Sequence, residues 1–413
     1  MKWLKFILIP IIMATLLPTL TMAEEKIYIY IGGPGKNKIP VALPKPVSSS
    51  KASVEFFEVL KNDLELSGWV EIVDPKTYIE PPNVGIRPGN FRYQDWEITG
   101  AAGLAKTKFE IKDNNIRSEV WVYDVAGRKK IGAKAFSAKP ERLRTLAHKA
   151  ANEIIVQLTG KNAPFNTRFA YIGSQTGNKE LYIMDFDGEN KMRITRNGKI
   201  NIKPSWNRNG DKISFTSYLN GNPDLYIADL SKGKISRLSA RRGVNIGASW
   251  SPTNLDIILT LAPNGNSDIY KINAQTGRII QRLTKSYGID TAPVYSPDGS
   301  KIAYVSERSG GAQIYIMDAD GSNHKRLTFQ GSQNTDPDFS PDGSTLAFVS
   351  RDQNFDIFTS TSTVLDSAGS PKTRAITKIL HGALTGITSP FRLPEPGHRI
   401  FGYLQRMVFT KPN

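Results

Sequence analysis

Apolar and polar positions alternate with a period of two in short runs through the second half of the chain, and each run stops at a cluster of Gly, Pro, Asn, Asp or Ser. One stretch shows the unit clearly. Thr291 to Tyr295 reads as a strand, Ser296-Pro297-Asp298-Gly299 as a turn and Lys301 to Ser306 as a second strand. Ser309-Gly310-Gly311 turns the chain again into Gln313 to Asp318, and Asp320-Gly321 turns it into Lys325 to Thr328. The unit recurs. An aromatic residue falls at Tyr182, Tyr226, Tyr270, Tyr315 and Phe358, at spacings of 44, 44, 45 and 43. A basic residue before an apolar-Ser/Thr pair falls at Arg193, Arg237, Arg282 and Arg326, and a Ser-Pro turn at Ser251, Ser296 and Ser340, with Asn207 in the matching place upstream. A four-stranded unit of this size cannot bury both faces alone, whereas units stacked radially bury them against one another, so the period predicts a β-propeller.

The first unit opens at Arg168-Phe169-Ala170-Tyr171, already at its second strand, so its innermost strand must come from elsewhere. Units two to four are complete. The fifth has an enlarged third turn over Ser360 to Ser370, resumes at Arg374-Ala375-Ile376-Thr377, and loses the pattern after Ser389-Pro390.

Residues 24–160 follow other periods. Lys26 to Ile31, Ile39 to Leu43 and Val70 to Val73 are strand-like. Ala52 to Leu66 has helical apolar spacing at Val54, Phe57, Leu60 and Leu64. Lys106 to Ile111, Arg117 to Asp124 and Lys130 to Ala138 predict an antiparallel meander, and Glu141 to Leu158 a helix with Leu143, Leu146, Ala150, Ile154 and Leu158 inward. The expected organisation is a leader at 1–23, a small α/β domain at 24–160, a linker at 161–167 and an all-β propeller at 168–413. The leader rests on Lys2 and Lys5, the apolar run Phe6 to Leu20 and the small residues of Thr21-Met22-Ala23, a cleavable export signal.

Composition narrows the chemistry. Among 413 residues there is no cysteine, so disulfides, thiolate metal sites and a cysteine nucleophile are excluded. The net charge of +16 is spread: residues 24–160 carry 21 basic and 17 acidic groups, residues 161–413 carry 31 and 21. No block of five or more like charges and no groove-reading motif points to nucleic acid, and no nucleic-acid partner is expected of an exported protein. Asp185-Phe186-Asp187-Gly188 and Asp318-Ala319-Asp320-Gly321 lack the further ligands of a calcium loop and read as hairpin turns. His148, His324, His381 and His398 are scattered, and Gly32-Gly33-Pro34-Gly35-Lys36 lacks phosphate-loop spacing. No Gly-x-Ser-x-Gly elbow occurs, which argues against a propeller-hydrolase. No catalytic residue, cofactor or metal is expected.

An export signal, a small α/β domain and then Ser-Pro-Asp-Gly propeller repeats, with the linking stretch Leu327-Thr328-Phe329-Gln330-Gly331-Ser332-Gln333-Asn334, resembles the TolB family of the periplasmic Tol–Pal system. The resemblance implies six blades, against about five clear repeats here with a degenerate last blade. It implies a monomeric, non-enzymatic scaffold that docks the peptidoglycan-associated lipoprotein Pal on the propeller, and by extension other envelope lipoproteins, in support of outer-membrane integrity and constriction at division. It further implies that TolA engages the start of the mature chain, here Glu24, Glu25, Lys26, Ile27 and Tyr28.

Propellers bind at the channel mouth, where the loop into each innermost strand is exposed. A polar residue recurs there at Asn201, Asn245, Asp290 and Asn334, followed by Ile202, Ile246, Thr291 and Thr335, and then by Lys203, Gly247, Ala292 and Asp336. Asn201, Asn245, Asp290, Thr291, Asn334, Thr335 and Asp336 are therefore the expected partner-binding set, although Asn and Asp also serve there as caps of tight turns. A secreted carbohydrate- or protein-binding propeller is the alternative. Trp206 and Trp250, placed just before turns at core positions, do not look like sugar platforms.

Overall fold

The computed structural model describes residues 38–351, apart from residues 47, 49, 82 and 83, together with residues 355–361 and 376–379. The leader, Glu24 to Tyr28, the strand expected over Lys26 to Ile31, Gly32 to Lys36 and the end of the chain after Ser389 lie outside the described residues.

The first unit is a five-stranded sheet in the order β2-β1-β3-β4-β5. Its strands are β1 (Ile39–Ala42), β2 (Val70–Ile72), β3 (Gly103–Lys112), β4 (Asn115–Asp124) and β5 (Lys129–Ala138). β1 runs parallel to both neighbours, and β3 to β5 form the antiparallel meander. α1 (Lys51–Leu66) starts where Ser50 Oγ accepts the Ser53 amide at 3.1 Å, and α3 (Leu143–Thr159) stops at Gly160, whose φ of 71° breaks the helix. Phe56, Leu60 and Leu64 of α1 and Leu146, Ala150 and Ile154 of α3 share one core with Val120 and Val122 of β4. Val54, expected inward, is 55% exposed, because the buried stripe runs instead through Ser53, Phe56 and Phe57. Beyond the sheet's other face sits the short helix α2 (Gln94–Glu97), which sequence periodicity missed. Its Trp96 is buried with Leu104 and Tyr123, beside a buried Lys106–Glu80 pair.

The remaining described strands form five radial sheets. Blade I holds β6 (Arg168–Gly173), β7 (Glu180–Asp185) and β8 (Met192–Arg193). Blade II holds β9 (Asn201–Trp206), β10 (Lys212–Asn220), β11 (Asn222–Asp229) and β12 (Lys234–Ser239). Blade III holds β13 (Asn245–Trp250), β14 (Asp256–Leu261), β15 (Asp268–Asn273) and β16 (Ile279–Arg282). Blade IV holds β17 (Asp290–Tyr295), β18 (Lys301–Ser306), β19 (Gln313–Asp318) and β20 (Lys325–Arg326). Blade V holds β21 (Gln333–Phe339), β22 (Thr345–Arg351), β23 (Phe355–Thr361) and β24 (Ile376–Ile379). Among the described residues blade I has three strands, without an innermost one, as its sequence start implies.

The repeating residues now have physical reasons. The recurrent aromatic pairs across the middle two strands of a blade: Tyr171 with Tyr182, Phe215 with Tyr226, Tyr304 with Tyr315 and Phe348 with Phe358, at centroid distances of 5.4 to 6.0 Å. The recurrent arginine reaches the buried acid that opens the third strand: Arg193 to Glu180, Arg237 to Asp224 and Arg282 to Asp268, at 2.9, 3.2 and 2.6 Å. Blade IV has Gln313 in place of the acid, and its Arg326 donates to the Thr328 carbonyl at 2.6 Å. Ser-Pro-Asp-Gly closes inward, with Ser296 Oγ accepting the Lys301 amide and Gly299 at a φ of 76°. Each apolar cluster lies between neighbouring blades. Leu225 and Ile227 of blade II pack on Leu259 and Leu261 of blade III, and Val294 and Val305 of blade IV pack on Leu346 and Phe348 of blade V.

Candidate functional site

Strand alternation carries the loops that enter the innermost strands to the same end as the turns between second and third strands. Backbone bonds tie these two sets together, from Asn201 N to the Lys179 carbonyl, Asp290 N to Ser267 and Asn334 N to Ala312, at 2.8 to 2.9 Å. This end is the mouth.

The four recurrent polar residues are all buried there, with exposures of 0, 0, 0 and 1% for Asn201, Asn245, Asp290 and Asn334. All but one of their polar groups are spent on the fold, the exception being Asn334 Oδ1, which has no hydrogen-bond partner among the described residues. Asn201 Nδ2 donates to the Lys179 and Lys199 carbonyls at 2.9 and 3.0 Å. Asn245 Nδ2 donates to the Arg241 carbonyl at 2.7 Å while its oxygen accepts from Ser239 Oγ. Asp290 accepts from Ser286 Oγ at 2.9 Å and from Arg308 at 3.1 Å. Asn334 Nδ2 donates to the Gln330 carbonyl and to Gln313 Oε1, at 2.7 and 2.9 Å. These side chains lock the turns, the capping use that the sequence also offered, and none of them is exposed at the mouth. The half-exposed residues after them, Thr291, Thr335 and Asp336, remain presented at the mouth.

The backbone at the mouth is unusual in a regular way. Each described innermost strand carries a register break one residue beyond the recurrent Asn or Asp, and the residue there is left-handed: Lys203, Gly247, Ala292 and Asp336, with φ of 54°, 67°, 49° and 49°. A bulge of this kind re-aims the side chain it carries. Lys203 Nζ and Asp336 Oδ1 meet at 2.5 Å, joining the innermost strands of blades II and V. Those blades stand three positions apart, so the innermost strands surround a common axis and the ion pair crosses it.

A second constellation lies where the units meet. Asp185-Phe186-Asp187-Gly188, the turn after β7, plugs into the α/β domain. The Phe186 ring sits 5.6 Å from Phe165 and packs on the helical core, and Asp187 pairs with Arg144 of α3. Behind it His148 Nδ1 lies 2.6 Å from Asp63 Oδ2 of α1, leaving Asp63 Oδ1 and His148 Nε2 buried without a hydrogen-bond partner among the described residues. Burial raises the Asp63 carboxyl to about 6, against the lowering influence of His148. Donor atoms of Asp63, His148 and Asp187 fall within 4.8 Å of one another. The set does not fit a metal ion, because Arg144 already supplies the cation at Asp187, whose other oxygen accepts the Glu189 amide. Sequence reasoning took His148 and this turn singly; eighty-five residues separate His148 from Asp63, and no local signal joins them.

Two family profiles match the chain: the TolB amino-terminal domain over residues 27–131 and the TolB beta propeller domain over residues 155–378. The Tol-Pal system protein TolB of Geobacter sulfurreducens is 33% identical over 214 residues, 49% of this chain and 49% of that protein, so the chain spans about half the length of that relative. A protein TolB homolog of Chlorobium luteolum is 31% identical over 306 residues, 73% of this chain and 69% of its own. Among solved structures, TolB from Acinetobacter baumannii superposes with a TM-score of 0.72 at 26% identity, covering 79% of this chain and 81% of that one.

Proposed function

The chain belongs to the TolB family, and we propose that it is a non-enzymatic periplasmic scaffold of the Tol–Pal system whose propeller mouth docks the lipoprotein Pal. One observation carries this reading. The ring of bulges presents Thr291, Thr335, Asp336 and Lys203 at a single mouth, while exposed apolar side chains stand on the surrounding loops: Ile200 at 48%, Ile289 at 45% and Phe329 at 64%. Apolar anchors around a polar centre make a protein-binding surface, since apolar contact supplies the free energy and the polar centre sets orientation. In the same reading TolA engages Glu24 to Tyr28, and the assembly supports outer-membrane integrity and constriction at division.

The test is surface plasmon resonance of residues 24–413 against the lipid-free Pal of the same organism, with Thr291→Arg and Thr335→Arg variants. Both positions are half-exposed, so the melting temperature should hold while affinity falls at least about tenfold, the size of one lost anchor contact. Full affinity in both variants would move docking away from the mouth. Failure of the wild type to bind Pal, from a protein that melts cooperatively, would favour the sugar- or protein-binding alternative.

A further inference from the structure

The two ends of the propeller differ in charge. Among the described residues, the mouth loops (174–179, residue 221, 262–267 and 307–312, with 194–200, 240–244, 283–289 and 327–332) hold seven basic residues and one acidic residue, Glu307. The loops of the opposite end (186–191, 207–211, 230–233, 251–255, 274–278, 296–300, 319–324 and 340–344) hold four basic and six acidic. At the mouth, Arg308 is spent on the buried carboxylate of Asp290. The other six, Lys179, Arg196, Lys199, Arg241, Arg242 and Lys285, make no ion pair among the described residues. They are not scattered around the ring. All stand at the junctions between blades I and II, II and III, and III and IV, while the junction between IV and V, residues 327–332, carries no charge. Fully exposed Tyr287 and half-exposed Ile289 stand on the same arc.

Like charges gathered on the rim of one mouth repel one another, and Glu307, whose amide donates to the Ile289 carbonyl at the end of the arc, is the one acidic residue of these loops beside them. Such an arc raises the local concentration of a negatively charged partner and speeds encounter, an effect that falls with salt. Tyrosine and arginine together are the composition of an interface anchor rather than of a solvated loop. The exposed apolar side chains distinguish the kind of partner. Tyr287 and Ile289 beside the charges offer apolar contact that a protein surface can cover, where attraction to a bilayer headgroup layer would call on the charges alone.

We propose that the arc from Lys179 to Lys285 is the recognition edge of the mouth and takes an acidic protein surface, with Tyr287 and Ile289 as its apolar anchors. This rests on the reading that the mouth docks a protein.

The experiment measures association of residues 24–413 with lipid-free Pal at 50, 150 and 500 mM NaCl. A triple reversal on the arc, Lys199→Glu, Arg242→Glu and Lys285→Glu, is set beside a triple reversal at the opposite end, Lys191→Glu, Lys232→Glu and Arg278→Glu. The wild-type association rate should fall about tenfold across the salt range, and the arc variant should start about tenfold slower and lose that salt dependence. The opposite-end variant should match the wild type. Thermal melts accompany each protein, and the single change Arg242→Glu replaces the triple if that does not fold. Wild-type binding that the arc reversal leaves untouched overturns the proposal and keeps the docking reading. No binding by the wild type overturns both. A second arm uses phosphatidylglycerol vesicles: binding to them that the arc reversal abolishes, with Pal binding unchanged, assigns the arc to lipid and overturns the proposal.

Discussion

The channel mouth and the joint between the two units are built from the same material, tight turns between short strands, and use it in opposite directions. At the mouth, the polar side chain of each turn folds back, so that Asn201, Asn245, Asp290 and Asn334 are buried caps. At the joint, the turn after β7 sends Phe186 and Asp187 outward into another unit's core. A buried capping residue holds a shape and leaves recognition to its neighbours. An outward turn residue becomes part of the neighbouring fold, and its removal leaves a hole with a charge in it. The two regions should therefore respond differently to the same kind of substitution.

The largest difference is expected at Asp187. Its carboxylate is 2% exposed against Arg144, and Asp187→Ala would remove that guanidinium's ion-pair partner, leaving the Asp63 carboxyl as the nearby acid. Removing one partner of a buried pair costs about 3 kcal/mol, an upper figure here because Arg144 is partly exposed. Urea unfolding followed by fluorescence should show the α/β transition moving down and separating from the propeller's. One unchanged cooperative transition would reduce the joint to a surface contact.

Next in size is a pH dependence centred on Asp63. An acid whose pKa is raised in the fold contributes most while protonated. Its contribution is complete below the ordinary value of 3.8 and is lost as the pH rises through about 6. Asp63→Asn stays neutral, so its stability should gain on the wild type by up to about 2 kcal/mol between pH 4 and pH 7. His148, Arg144 and Asp187 face the same carboxyl; His148 and Arg144 hold the rise in check and Asp187 adds to it. His148→Ala should therefore move the window to higher pH. Parallel pH profiles for wild type and Asp63→Asn would show that Asp63 does not titrate in the fold over this range.

The propeller was legible in the sequence because its repeat is local: Tyr182 to Phe358 mark a strand that pairs within its own blade. The meander and the two long helices were legible for the same reason. What escaped depends on contacts between distant residues. The parallel pairing of β1 with β2 and β3, the α2 turn with Trp96, and the meeting of Asp63, His148 and Asp187 leave no periodic trace. The loops into the innermost strands fall where the repeat placed them, and their Asn and Asp side chains are buried. Asn and Asp at a turn satisfy the backbone as readily as a partner, and only burial distinguishes the two uses. The charge polarity of the propeller's two ends escaped as well, because summing over residues 161–413 averages a basic end with an acidic one.

The smallest effect asks what the regular strain at the mouth is for. Gly247 takes its left-handed φ of 67° without a side-chain penalty, whereas Ala292 holds 49° at the equivalent place in blade IV. A methyl group there costs about 1 kcal/mol in the left-handed region, and Ala292 buries too little to recover all of it. Ala292→Gly should therefore stabilise the propeller by about 0.5 kcal/mol. Gly247→Ala should destabilise it by a similar amount, since a Cβ there has room, 3.7 Å from the Ala292 Cα, and meets only the torsional cost. Both are read from chemical unfolding midpoints. If Ala292→Gly gains stability and loses affinity for Pal, the strained bulge presents Thr291 to the partner. A gain in stability with affinity unchanged makes the bulge a device of blade geometry alone, as the buried caps beside it are.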